Sequence, residues 1–210
     1  KAVTSEATPA AAKAKNNSLE LYQEESQNAT DAPRPDAVSN YLDDMFVKDI
    51  DRFMSFKDRK TGFENLDKNC GGLYPGLYVI GAISSLGKTT FIHQMGDQLA
   101  EAGDHVLYFT LEQNKLEMVT KSLSRISARH NKQTAVSAIN IRAGKLTNEV
   151  WKAADEYSKV ADRVSIVECN FNTNINFIID YTKKYIKANG VKPVVIVDYL
   201  QIIPPTDPRQ

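Results

Sequence analysis

Residues 82–90 read A-I-S-S-L-G-K-T-T and combine the residue types that bind phosphate groups. Small or flexible residues let successive backbone N–H groups turn inward around an anion. A helix that follows such a loop presents its unpaired N-terminal amides to the same anion. Lys88 would give a compact positive charge to the β and γ phosphate oxygens, and the Thr89 hydroxyl would bind Mg²⁺. The predicted nucleotide-binding residues are Ala82, Ser84, Ser85, Leu86, Gly87, Lys88, Thr89 and Thr90.

Two acidic residues each follow an apolar run that is typical of a buried strand. Asp198 ends the run V-V-I-V-D, and Glu112 ends F-T-L-E. Ligands bind beside the carboxyl ends of parallel strands, where Asp198 would hold the Mg²⁺ that bridges the terminal phosphates. Glu112 at the same edge would deprotonate an attacking water. Its position alone is equally typical of a helix cap or of a surface glutamate.

Apolar runs and amphipathic stretches alternate along the rest of the chain and predict the elements that hold these residues. Predicted strands lie at residues 77–81, 105–111, 164–168 and 194–198. The helices between them carry apolar stripes at spacings of three and four, starting near Phe91, Leu116, Val150 and Ile175. This alternation favours an α/β fold with a mainly parallel sheet flanked by helices.

The N-terminal part of the chain has a different composition. Residues 1–40 contain few large apolar side chains, which predicts a flexible, disordered linker or tail. Residues 41–56 recover helical spacing and predict a linker helix that docks on its own domain or on a neighbour. Residues 57–210 then form the nucleotide-binding domain.

Composition and net charge give little indication of a partner, and they do not exclude a local basic patch. Among 210 residues, 26 Lys and Arg balance 26 Asp and Glu, so net charge gives no reason to expect a nucleic acid or a membrane partner. The sequence has no apolar run long enough to span a membrane. The isolated Cys70 and Cys169 in a chain without a visible secretory signal predict a cytoplasmic protein. Since the sequence does not begin with Met, we expect a piece of a longer protein.

Five segments together resemble a known family. They are T-G-F-E-N-L-D (61–67), G-G-L (71–73), the loop at 82–90, F-T-L-E (109–112) and D-Y-L-Q (198–201). In this order they resemble the ATPase domain of DnaB-type replicative helicases, within the RecA-like superfamily of P-loop NTPases. The family's loop commonly begins with Ala, which fits Ala82. The element D-Y-L-Q favours this family over KaiC/RadA-like ATPases, although its Gln201 has no assigned role.

The resemblance implies a function and a set of roles. Lys88 and Thr89 would bind the phosphates of ATP and Mg²⁺, Glu112 would be the catalytic base, and Asp198 a second acid near the metal. The implied partners are single-stranded DNA, further copies of the chain in a homo-hexamer, and a primase or a helicase loader; no membrane is implied.

The resemblance also implies that the domain is incomplete. The family continues with a γ-phosphate sensor, DNA-binding loops, a basic finger and a strand between the loop strand and the Asp198 strand. Without that strand we expect a gap and exposed strand edges. Two alternatives stay open: a KaiC/RadA-like ATPase that does not unwind DNA, and a non-catalytic nucleotide-binding scaffold from a mobile element.

Overall fold

The chain divides into two compact units, Lys1–Ile50 and Asp51–Gln210. The computed structural model describes residues 38, 41–42, 45–57, 59–170, 172–199 and 203–204. Nearly all of the predicted linker at residues 1–40 therefore lies outside the described residues. Within the predicted linker helix, helix α1 covers Phe46–Met54. Its docking stays a prediction, as do the predicted domain boundaries.

The larger unit alternates helices and strands, which confirms the predicted α/β class. Its elements are α2 (Glu64–Cys70), α3 (Lys88–Glu101), β1 (Val106–Thr110), α4 (Lys115–His130), α5 (Ala138–Arg142), α6 (Asn148–Ala161), β2 (Val164–Glu168), α7 (Ile175–Asn189) and β3 (Val194–Asp198). None of the helices in the described part of the chain has the length and apolar character that crossing a bilayer would require.

The three strands form one parallel sheet in the order β2-β1-β3. Strand β1 is in the middle and is buried along its whole length. Its last residue, Thr110, lies opposite Glu168 on β2 and Asp198 on β3. The carboxyl ends of all three strands therefore share one rim of the sheet.

The predicted strand at residues 77–81 is wrong. This segment has no regular secondary structure, and Leu77 and Val79 are 91% and 77% exposed. An apolar run becomes a strand only where a neighbour completes its hydrogen-bond ladder. Strand β1 is already paired on both sides, and within the described residues no strand pairs with this segment.

Helices cover both faces of the sheet, which explains why β1 is apolar at successive positions. Val106 and Tyr108 face α3 and α4, whereas Leu107 and Phe109 face α7. Gly96 lets α3 approach the sheet closely, because a Cβ there would lie 3.1 Å from the Ile196 side chain.

Candidate nucleotide-binding site

Helix α3 begins at the rim where the strands end. Its C-terminal end leads through Gly103 into the start of β1, so the helix runs opposite to the strands. Part-way along it, the His93 ring lies edge-on to Tyr108, with ring centroids 5.9 Å apart. Lys88 is five residues before His93, about 7.5 Å along the helix. Thr110 is two residues past Tyr108, about 6.6 Å along the strand in the same direction. Lys88 therefore lies near the carboxyl rim.

The predicted loop leads directly into this helix. Gly87 has φ 93° and immediately precedes Lys88, the first helical residue, which confirms the predicted loop–helix junction. Ser85 also has a positive φ, 63°, which is uncommon outside glycine. Residues of this conformation contribute to the turns that form anion-binding concavities. The Lys88 Nζ donates a hydrogen bond to the Ala82 carbonyl at 3.1 Å, so the lysine reaches back across the loop.

The other predicted loop residues are open to solvent. Ala82, Ser84, Ser85, Leu86, Gly87 and Thr90 are exposed, and Lys88 and Thr89 are half-buried. The backbone and hydroxyl groups of the loop are therefore accessible to an incoming ligand.

Asp198 lies on the face of the sheet that carries α3. Ile196 packs against α3, and side chains two residues apart on a strand share a face, so Asp198 points to the same side. It is 5% exposed, and one of its oxygens, Oδ2, accepts a hydrogen bond from the Tyr108 hydroxyl at 2.9 Å. The structure thus brings Asp198 and the start of α3 to one rim and one face.

Glu112 lies at the same rim but is exposed. The backbone N–H of Leu111 donates to the Asp198 carbonyl at 2.9 Å, which holds the residue before Glu112 beside the end of β3. Helix α4 is capped by Asn114, whose side chain and that of Glu117 form a reciprocal capping box. Since Asn114 fills this position, the helix-cap interpretation of Glu112 is wrong.

Two residues near Asp198 were not singled out by the sequence. Burial, and then the charge of Asp198, raise the pKa of Tyr108 far above its usual value, so its hydroxyl stays protonated. Lys121 on α4 donates to the Gln113 Oε1 at 2.8 Å. Burial lowers the pKa of Lys121, while the charges of Glu117 and Asp198 oppose this shift. In the sequence, Tyr108 is an ordinary member of an apolar strand and Lys121 is an ordinary member of an amphipathic helix. Neither residue therefore gives a signal of its own.

The segment T-G-F-E-N-L-D has a structural role beside this site. The Asp67 carboxylate accepts hydrogen bonds from Thr61 N and Oγ1, both at 2.7 Å, and from Gly62 N at 3.1 Å. Gly62 has φ 83°, and a Cβ there would lie 2.6 Å from the Gln98 side chain. The Phe63 ring then stacks on Phe91, with centroids 4.5 Å apart. The motif therefore fixes a turn against the first part of α3.

The donor atoms at the rim fit Mg²⁺. This ion takes oxygen ligands, keeps several waters, and is usually held through one or two protein side chains together with substrate phosphates. Thr89 supplies a hydroxyl and Asp198 a carboxylate. These two residues would hold the ion.

Comparison with known proteins identifies the family. The family model "DnaB-like helicase C terminal domain" matches residues 59–210, well over half of the chain. The chain belongs to the DnaB-like helicase family. This membership confirms the resemblance that the sequence motifs indicate. The replicative DNA helicase DnaB of Haemophilus influenzae is 26% identical over 200 residues, covering 88% of this chain and 40% of the relative.

A further relative and two solved structures agree with this result. DnaB of Pasteurella multocida is 28% identical over 153 residues, covering 68% of this chain and 30% of the relative. A solved structure of an ATPase domain superimposes with a TM-score of 0.66 at 21% identity, covering 84% of this chain and 62% of that one. A DnaB-like replicative helicase, described with its interactions with primase, superimposes with a TM-score of 0.65 at 21% identity, covering 93% and 49%.

These superpositions confirm the predicted RecA-like fold. The chain spans 40% and 30% of the length of the two DnaB relatives. The relatives therefore contain further residues that the comparison with this chain does not cover.

Proposed function

We propose that this chain is the ATP-hydrolysing part of a replicative helicase motor that moves along single-stranded DNA and unwinds duplex DNA. One observation carries the proposal. Lys88 at the start of α3, Glu112 after β1 and Asp198 at the end of β3 belong to a single rim of the sheet. Such a convergence of one cation and two acids is what phosphoryl transfer from ATP requires. Membership in the DnaB-like family favours this function over a KaiC/RadA-like ATPase or a non-catalytic scaffold.

Each residue has a distinct role in the proposed reaction. Lys88 and the loop amides bind the β and γ phosphates of ATP and stabilise the charge that develops on them. Thr89 and Asp198 would hold Mg²⁺, which when bound would neutralise phosphate charge. Glu112 accepts a proton from the water that attacks the γ phosphorus. The bond from that phosphorus to the β–γ bridging oxygen breaks, which releases ADP and phosphate.

The partners follow from the same proposal. The DnaB relatives carry the name of replicative DNA helicase, and one structural neighbour is described with its interactions with primase. For this protein we propose single-stranded DNA as the track, a homo-hexamer as the active assembly, and a primase or a helicase loader as a further partner. We place the protein in the cytoplasm.

The proposal is tested in the full-length protein with ATP, Mg²⁺ and a forked DNA duplex. We expect DNA-stimulated ATP hydrolysis and strand displacement in the wild type, and loss of both in Lys88→Ala. Lys183→Ala removes an exposed lysine from α7 and is the matched control, which should keep both activities. Hydrolysis without strand displacement would indicate the KaiC/RadA-like alternative instead. ATP binding without turnover would indicate a scaffold.

A further inference from the structure

Tyr108 is the buried residue that contacts the predicted metal-binding acid. It lies in the middle of β1 and is 1% exposed. Its hydroxyl donates to Oδ2 of Asp198 at 2.9 Å, and the two residues are 90 positions apart in the chain. The hydrogen bond therefore joins the central strand of the sheet to the carboxylate at the end of its neighbour.

We propose that Tyr108 is a positioning residue that fixes the Asp198 carboxylate for Mg²⁺ binding. The inference rests on the proposed function, in which Asp198 helps to hold the metal. A carboxylate has two oxygens and about four sites that accept hydrogen bonds. Tyr108 occupies one site on Oδ2, and the proposal assigns Oδ1 to the metal or to one of its waters.

The physical reason is preorganisation. An aspartate without a partner samples several rotamers, and part of the metal-binding free energy is then spent on ordering it. A donor on one oxygen removes that cost before the metal arrives. Partners of this kind, which contact a ligand and not the metal, typically change metal affinity by about 10–100-fold when they are removed.

The tyrosine is itself held in place, as a positioning residue must be. Its ring packs in the core beside Met95 and Leu99 of α3. The His93 ring lies edge-on to it at an interplanar angle of 79°. His93 is fixed in turn through its Nε2, which lies 3.0 Å from the Met118 carbonyl oxygen. Helices α3 and α4 thus fix the ring, and the ring aims its hydroxyl at Asp198.

The competing interpretation is that a buried tyrosine hydroxyl simply needs a partner. The chain offers a matched case. Tyr157 on α6 is also buried, and its hydroxyl donates to Oδ1 of the buried Asp97 at 3.4 Å. Asp97 lies in the middle of α3 and pairs with Arg125, so it is not among the predicted site residues. Removing either hydroxyl takes a partner from a buried carboxylate, but only one of those carboxylates is predicted to bind metal.

The test compares Tyr108→Phe and Tyr157→Phe in the full-length protein. Calorimetry gives the affinity for the non-hydrolysable analogue AMP-PNP, once with Mg²⁺ and once with EDTA. The ratio of the two affinities measures what the metal contributes, without any need for turnover. We expect Tyr108→Phe to lower this ratio about tenfold, with the affinity in EDTA unchanged. Tyr157→Phe should leave both affinities as in the wild type.

The possible results distinguish a failure of the Tyr108 inference from a failure of the proposed metal site. If the wild-type ratio is large and Tyr108→Phe does not change it, or if both variants lower it equally, Tyr108 is a structural residue and the inference is overturned. If the wild type binds AMP-PNP equally well with and without Mg²⁺, the proposed metal site is overturned, and this inference with it.

Discussion

The two acidic residues at the rim, Asp198 and Glu112, have different surroundings. Asp198 is buried and hydrogen-bonded, which suits an acid that holds a metal in one place. Glu112 is exposed just past the end of β1, where a carboxylate can exchange protons with water. Residue types and spacing predict Lys88 and Asp198 as site residues, and their roles stay predictions. They left Glu112 ambiguous, because a glutamate after a strand serves equally well as a helix cap, and only the Asn114 capping box decides against that role.

The contact between Tyr108 and Asp198 could not be predicted from the sequence. Tyr108 has the sequence context of an ordinary core residue, since an aromatic side chain in an apolar strand usually packs against its neighbours. Its partner Asp198 is specified by the pairing of β1 with β3, and local sequence patterns do not contain the order of strands in a sheet.

Glu112→Gln tests the proposed general base. The amide cannot accept the proton of the attacking water, so we expect ATP hydrolysis to fall by about 10²–10⁴-fold. The affinity for ATP should stay within about threefold of the wild type, because the phosphate-binding groups are intact. Glu64→Gln is the control, since Glu64 is exposed on α2 and, among the described residues, pairs with Lys68 in the same helix. Normal turnover in Glu112→Gln would remove Glu112 from the proposed reaction.

The sequence predicts some strands correctly and one wrongly. Strands β2 and β3 match the predicted runs at 164–168 and 194–198, because each pairs with β1 and is covered by helices. The run at 77–81 is also apolar, but within the described residues no strand pairs with it, and it lies outside the sheet. Composition therefore indicates which segments are able to form strands, whereas pairing decides which of them do.

The turn at residues 61–63 shows how a family motif positions the site at the level of elements. Asp67 ties this turn to α2, and Phe63 carries the contact onward to α3. In the sequence the motif is a family signature, and its structural role follows only from the hydrogen bonds in the structure.

Asp67→Ala tests that role. The substitution leaves Thr61 and Gly62 without the acceptor of three hydrogen bonds. We expect the free energy of unfolding to fall by about 1.5–3 kcal/mol, the range for losing a hydrogen bond to a charged group. Urea denaturation of the purified protein measures the change. Asp155→Ala removes an exposed aspartate from α6 and should shift the free energy by less than about 0.5 kcal/mol. An equally small effect of Asp67→Ala would mean that the turn does not depend on this carboxylate.

At the scale of the whole molecule, a buried polar network joins α3 to α4 and α6. Arg125 on α4 pairs with Asp97 and Glu101 on α3, at 3.3 and 2.8 Å. Tyr157 on α6 donates to the same Asp97, so three helices meet in a buried polar network. These contacts hold the C-terminal half of α3, whereas the loop before the helix is exposed. Lys88 is nine residues before Asp97, about 13.5 Å along the helix, so this network lies away from the predicted phosphate-binding groups.

The fold class and the family could both be predicted from the sequence at this scale. Alternating apolar runs predicted the α/β class, and five short motifs predicted the DnaB-like family, which the family comparison confirms. The order β2-β1-β3 and the network around Asp97 could not be predicted, because both depend on contacts between residues far apart in the chain.

The most direct measurement is a crystal structure of the full-length protein with Mg²⁺ and a non-hydrolysable ATP analogue. We expect the Lys88 Nζ about 3 Å from a phosphate oxygen and the Thr89 hydroxyl about 2.1 Å from the metal. Asp198 should contact the metal or one of its waters, and Glu112 should lie beside the γ phosphate. A nucleotide bound away from residues 82–90, or acids on the rim opposite to Lys88, would contradict the account.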